Sequence, residues 1–151
     1  MGKIALVTGG SRGIGAATVK ALAQEGYDIA VNYNANGDAA EEVAGEARAS
    51  GVRAITVRAD VAQEDQVVAM FETVDRELGN LDALVNNAGI NGRSARVDEL
   101  MADEITALLQ TNVLGPMLCS REAVKRMSTK YGGTGGGIIN VSSGSAYIGN
   151  P

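Results

Sequence analysis

The sequence has no histidine and no tryptophan, one cysteine (Cys119), one phenylalanine and two prolines in 151 residues. Without histidine, and with a lone thiol, a zinc site lacks its usual ligands and no intrachain disulfide can form, so a reducing, cytoplasmic compartment is expected. Long apolar runs are also missing. No stretch approaches the roughly 18 apolar residues of a membrane span, and the run in MGKIALVTGG meets glycine too soon for a signal peptide, so no membrane association is expected. Positive charge is scarce, with 13 basic side chains against 18 acidic and a net charge of −5. That balance leaves no basic footprint for nucleic acid. Aromatic residues make up only 3%, so the core must be built from small aliphatics.

Glycine, by contrast, is abundant, at 20 of 151 residues against a usual share of roughly 7%. So much glycine implies several places where backbone turns tightly or approaches something closely. Apolar residues at 45% and charged residues at 21% are ordinary for a globular chain, and the length suits one domain.

Short apolar runs alternate with longer stretches of helical period, the mark of βαβ units around a parallel sheet. The runs Lys3–Thr8, Asp28–Tyr33, Arg53–Arg58, Ala83–Asn86 and Gly137–Val141 read as five strands. Between them, Gly13–Glu25 reads as a helix whose buried face is expected at Ile14, Ala17, Ala21 and Leu22. Ala39–Ser50 follows, with Asp38 expected as its N-cap, Glu41 three residues on and Gly51 just past its end. In Gln63–Leu78 the positions Val67, Met70, Phe71, Val74 and Leu78 hold a helical period, and Gly79 closes the segment. A long helical region is expected over Ala102–Tyr131, kinked or broken at Gly115-Pro116. The GGTGGG loop that follows reads as a flexible connection. Right-handed crossovers then favour a Rossmann-type, doubly wound α/β sheet of order 3-2-1-4-5, with ligands expected where the first and fourth strands end.

The loop Thr8-Gly9-Gly10-Ser11-Arg12-Gly13-Ile14-Gly15 joins the first strand to the first helix. Glycines there let backbone N–H groups approach a pyrophosphate at the positive end of a helix. The spacing is G-x-x-x-G-x-G, since Ser11 and Ile14 stand where the commoner G-x-G-x-x-G needs glycine. A phosphate-binding P-loop fails as well, because Ala16-Ala17 replaces the required Lys-Ser/Thr. Taken alone, the loop also reads as a merely tight turn. Asp60-Val61 ends the third strand, where the carboxylate suits an adenine amino group or, alternatively, an N-cap. Asn86-Asn87-Ala88-Gly89 ends the fourth, where small residues let a ribose lie against backbone, with an ordinary Asx turn as the plain reading.

Together these segments resemble the short-chain dehydrogenase/reductase family. The likeness runs along the whole chain: TGxxxGxG at 8–15, Asp60-Val61, NNAG at 86–89, Asn112 in the long helix and Ile139-Asn140-Val141-Ser142-Ser143. It is nearest to members related to glucose dehydrogenases and ketoacyl reductases. The resemblance implies NAD(P)-dependent hydride transfer between a carbonyl and an alcohol on a small-molecule substrate. Carried over by position, it implies that Ser143 bonds the substrate oxygen and Asn112 holds a water in a proton relay; the plain reading of Asn112 is a helix-kink side chain. Cofactor contacts are implied for Gly9, Ser11, Arg12, Gly13, Ile14, Gly15, Tyr33, Asn34, Asp60, Val61, Asn87, Ala88 and Gly89. For a full-length member it also implies a homo-oligomer, dimer or tetramer.

The second strand ends Val31-Asn32-Tyr33-Asn34 with no carboxylate before Asp38, and Arg12 lies in the glycine loop. A carboxylate there would bind a ribose 2′-hydroxyl and repel a 2′-phosphate, whereas arginine pairs with that phosphate. NADP(H) is therefore favoured, with NAD(H) allowed. The family's Tyr-x-x-x-Lys pair, which would follow Ser143 by roughly a dozen residues, is not in these 151 residues. Tyr147 is followed four positions later by Pro151, and it reads as a loop or pocket-wall residue. Two readings stay open. In one, the chain is the cofactor-binding part of an oxidoreductase, truncated and by itself inactive, with GIINV left as an apolar sheet edge. In the other, it is a dinucleotide-binding module without catalysis.

Overall fold

The computed structural model describes residues 2–144; Tyr147 and the rest of the segment after Gly144 lie outside them. Five parallel strands form one sheet in the order β3-β2-β1-β4-β5: β1 Ile4–Val7, β2 Asp28–Tyr33, β3 Ala54–Arg58, β4 Ala83–Asn86 and β5 Gly137–Asn140. This is the expected α/β order. β1 and β4 are neighbours, in register at Leu6 with Leu84 and Val7 with Val85, although an αβαβα stretch separates them in sequence.

Alternation along the strands supplies two cores. Leu6 and Leu84 face one way, where helix α3 (Glu64–Glu77) and helix α5 (Gly115–Met127) cover them with Val67, Phe71, Val74, Leu118 and Ala123. Val7 and Val85 face the other way, under α1 (Gly13–Gln24) and α2 (Gly37–Ala49), with Val19, Ala23, Val43 and Ala47. Phe71, the chain's one phenylalanine, is fully buried, so branched aliphatics and alanines do fill most of the interior. Such side chains lose little rotamer freedom on packing, and they let helices sit close to the sheet.

The face of α3 is as the period predicts, from Val67 to Leu78. That of α1 is not. Ile14, Ala17 and Ala21 are exposed, Leu22 is half-buried, and the buried stripe is Gly15, Val19 and Ala23. Apolar residues surround this helix on nearly every side, so period alone does not choose among faces; the small Gly15 does, by letting the helix start close to the strand ends. Helix α2 begins at Gly37, and its N-cap is Asn36, whose side-chain oxygen accepts from Ala39 N at 3.0 Å. Asp38 lies instead in the first turn, where its charge suits the helix dipole.

The long helical region is three segments. Helix α4 (Ala102–Leu109) runs into a π-helical turn at Gln110–Leu114, which passes directly into α5. The irregularity thus precedes Gly115-Pro116, and Pro116 sits in the first turn of α5, where its missing N–H costs least. A short 3-10 turn, Thr129–Tyr131, follows. The GGTGGG loop is packed rather than a loose connection. A Cβ on Gly133 would stand 2.3 Å from Arg126 O, one on Gly136 the same distance from Met127 Sδ, and Gly135 N donates to Met127 O at 2.8 Å. β5 is one edge of the sheet among the described residues, and its Ile139 is half exposed.

Candidate functional site

At the carboxyl ends of β1 and β4 the strands are bound to each other by side chains. The buried Thr8 hydroxyl accepts N–H groups from Asn87 and Ala88, both at 3.0 Å, and lies 3.3 Å from Val85 O, to which it donates. Asn87 Nδ2 returns across the gap to Thr8 O at 2.9 Å and Gly9 O at 3.0 Å. On the other side, Asn32 Oδ1 accepts from Gly9 N at 3.1 Å, while its Nδ2 donates to Ala59 O at 3.0 Å and Val57 O at 3.3 Å. The glycine loop is therefore pinned on both sides, to β4 through Asn87 and to β2 and β3 through Asn32. The sequence signal for Asn32 was a polar residue closing the otherwise apolar run DIAVN, and for Thr8 a hydroxyl at the end of IALVT.

This pinning brings the N-terminus of α1 to the crevice. Gly9 and Gly13 have φ of +61° and +55°, in the left-handed region where side chains are strained. Arg12 takes the N-cap position in extended conformation, makes no side-chain cap, and the first turn carries no acidic residue. The leading amides of α1 thus lack a side-chain acceptor, and the helix end keeps its positive character. Room for a ligand there depends on Gly15, since a Cβ on it would stand 2.3 Å from Gly9 O and 2.5 Å from Asn87 Nδ2. A pyrophosphate fits this donor set and this backbone approach.

Beside the cradle opens a cleft of about 640 Å³, lined by Asn87, Ala88, Gly89, Asn112, Met117 and Ser142 among others. Asn112 sits in the π-helical turn and clasps the backbone of Ile90: its Oδ1 accepts from Ile90 N at 2.9 Å, and its Nδ2 donates to Ile90 O at 2.8 Å. This clasp fixes the course of the chain beyond Gly89. Ser142 is on the wall of the cleft, and Ser143 follows it as an exposed residue. Asn86 ties β4 to the neighbouring elements, donating to Asn140 Oδ1 at 2.9 Å and Ser120 Oγ at 3.1 Å, while its own buried oxygen has no partner among the described residues.

Of the remaining expected positions, Tyr33 is half-buried with its hydroxyl toward Gly37, and Asn34 is exposed at the end of β2. Asp60 Oδ1 accepts from Ala62 N at 2.9 Å, so the carboxylate shapes its own turn; the N-cap of α3 is Gln63, not Asp60. The Val61 side chain lies in the core against Gly115.

Comparison with known proteins decides the family. Residues 3–151 match the short chain dehydrogenase model. The chain belongs to the short-chain dehydrogenase family. Its relatives include an uncharacterized oxidoreductase of Escherichia coli K12, YgfF, 54% identical over 98% of this chain and 60% of that protein. A 3-oxoacyl-(acyl-carrier-protein) reductase of Staphylococcus aureus is 42% identical over all of this chain and again 60% of the relative. Among solved structures, a doubly substituted Serratia marcescens short-chain dehydrogenase/reductase superimposes with a TM-score of 0.88 at 38% identity, covering 97% of this chain and 57% of that one. The chain thus spans about 60% of the length of these curated relatives. Among the described residues no helix is long and apolar enough to cross a membrane.

Proposed function

We propose that the protein is an NAD(P)-dependent oxidoreductase that moves hydride between a carbonyl and an alcohol, with this chain supplying the dinucleotide cradle and one wall of the active site. The observation that carries this reading is the juxtaposition of the uncapped α1 N-terminus with the cleft at Asn87, Ala88 and Gly89. The nicotinamide supplies the hydride chemistry when bound, and the protein's part is to hold and orient it. Gly9, Ser11, Gly13, Ile14 and Gly15 offer main-chain donors to the pyrophosphate. Asp60 and the main chain of Val61 serve the adenine. Asn87, Ala88 and Gly89 form the floor along which the nicotinamide-side ribose lies. Asn112, rigid in its clasp, holds a water, and Ser143 meets the substrate oxygen.

NADP(H) is the favoured cofactor, because Tyr33 and Asn34 end β2 without a carboxylate while Arg12 stands at the head of α1. The substrate class is a small carbonyl or alcohol compound, and the reductase name of the Staphylococcus relative is consistent with a carbonyl. The full-length protein is read as a homo-oligomer. Fluorescence titration of the full protein with NADPH and NADH tests the cofactor, followed by turnover against a panel of ketones, sugars and 3-oxoacyl thioesters. Saturable NADPH binding with oxidation by at least one carbonyl supports the proposal. Failure to bind either nucleotide overturns it.

A further inference from the structure

The chain has nine arginines, and seven of them sit against carboxylates: Arg48, Arg53, Arg76, Arg93, Arg96, Arg121 and Arg126. Among the described residues, only Arg12 and Arg58 make no ion pair. In a chain of net charge −5, where almost every guanidinium has found an acid, these two stand apart, and both lie on the carboxyl side of the sheet. Arg12 heads α1, on the loop whose Gly10 N donates to Asn32 O at 2.8 Å. Arg58 ends β3 in register with Tyr33, and its Nε donates to Asn34 O at 3.1 Å. Arg58 thus closes the strand on one side of β2, and Arg12 lies in the loop that follows the strand on its other side.

The bond from Nε matters because it orients the rest of the group. Arg58 spends one donor on the β2 backbone and keeps both terminal nitrogens free of hydrogen bonds to the described residues. A planar guanidinium held this way presents a ready pair of donors to a phosphate. The nearest acids in sequence do not neutralise it: Asp60 is engaged by Ala62 N, and Asp38 lies in the first turn of α2.

We propose that Arg58 is a specificity-determining residue, closing with Arg12 on the 2′-phosphate of NADP(H) at the end of β2. The inference rests on the NADP(H) reading above and adds a residue to it. It also explains why a solvent-exposed arginine sits at the carboxyl end of β3 instead of being paired on the surface.

The test uses adenosine 2′,5′-bisphosphate and 5′-AMP, which differ by the one phosphate, titrated calorimetrically into the full protein and its R58Q, R12Q and R58K variants. The wild type is expected to prefer the bisphosphate. R58Q should weaken bisphosphate binding about tenfold and leave 5′-AMP within about twofold, as loss of one charge-assisted contact predicts. R58K, which keeps the charge, should retain part of the preference. An unchanged preference in R58Q, alongside a loss in R12Q, overturns the role of Arg58 and leaves the NADP(H) reading standing. An equal loss for both ligands in R58Q also overturns it, since that marks a structural effect. A wild type that does not distinguish the ligands overturns both.

Discussion

Asn87 reaches back across the sheet switch point to Thr8, donating its side-chain amide to Thr8 O at 2.9 Å while its own backbone N–H is received by the Thr8 hydroxyl at 3.0 Å. Two residues 79 apart in sequence are thus joined by two hydrogen bonds, both donated by Asn87, where the parallel ladder between β1 and β4 has already ended. Replacing Thr8 by Val keeps the shape and removes the acceptor from two N–H groups. Each buried orphan costs roughly 1–3 kcal/mol. T8V should therefore lower unfolding free energy by about 2–3 kcal/mol, read from urea denaturation. A change under about 0.5 kcal/mol would show that water replaces the hydroxyl.

Gly15→Val should weaken both nicotinamide nucleotides together. The added side chain collides with Gly9 O and with the amide of Asn87, so the loop must move away from the helix end it serves. The expected loss is at least about tenfold in affinity for NADPH and NADH alike, measured by fluorescence titration. Unchanged affinity would refute the phosphate-site assignment.

Asn112→Leu separates positioning from cofactor binding. The variant keeps volume but loses both bonds to Ile90, freeing the segment after Gly89 on the wall of the cleft. In the full protein kcat should fall by about tenfold or more, with the NADPH Kd within about twofold. A parallel loss of both would make Asn112 a folding residue only.

Two buried acids contribute to the low-pH edge of stability. Burial acts to raise the pKa of Asp28, but the backbone N–H, guanidinium hydrogen bonds and charge of Arg53 outweigh it, leaving the carboxyl below its ordinary value. Glu122 behaves likewise: burial raises, and Lys125, Arg121 and Arg126 more than reverse it. A lowered folded-state pKa contributes stability that is complete above the unfolded-state pKa, near 4, and disappears as pH falls toward the folded value. D28N and E122Q should therefore be less stable than wild type at pH 7. Their deficit should narrow below about pH 4, seen as converging melting temperatures. A deficit independent of pH would mean packing, not charge, is lost.

Cys119 should be silent. Burial pushes its thiol up to about 12, with the Glu122 charge adding to the effect, so at pH 8 almost no thiolate exists and none is accessible. Ellman's reagent should react only on the unfolding timescale. A fast native reaction would show that α5 opens readily.

How much of this was legible in the sequence depends on what sets each feature. Strand order follows from run lengths and crossover handedness, and the face of α3 from a strict period; both are local or nearly so. The face of α1 was misread because its apolar residues surround it, and only the approach of Gly15 to Gly9 and Asn87 selects a side. The start of α2 was displaced because Asn36 and Asp38 are both capping residues and sequence alone does not rank them. In the site, the glycine loop and NNAG were visible as motifs. The work of Thr8 and Asn32 was not, since each acts across the sheet on residues distant in the chain. Arg58 stands out only once every arginine but it and Arg12 is seen to be paired.

The π-helical turn at Gln110–Leu114 acts as a change of phase. Each residue of an α-helix advances the side chains by about 100°, so one surplus residue rotates everything after it to a new bearing. The helix before the turn buries none of its side chains, whereas the one after it buries Leu118, Cys119, Glu122, Ala123 and Met127. Deleting one residue from the turn would restore a regular winding and force a choice: either the clasp on Ile90 or the seating of Leu118 could keep its bearing, but not both.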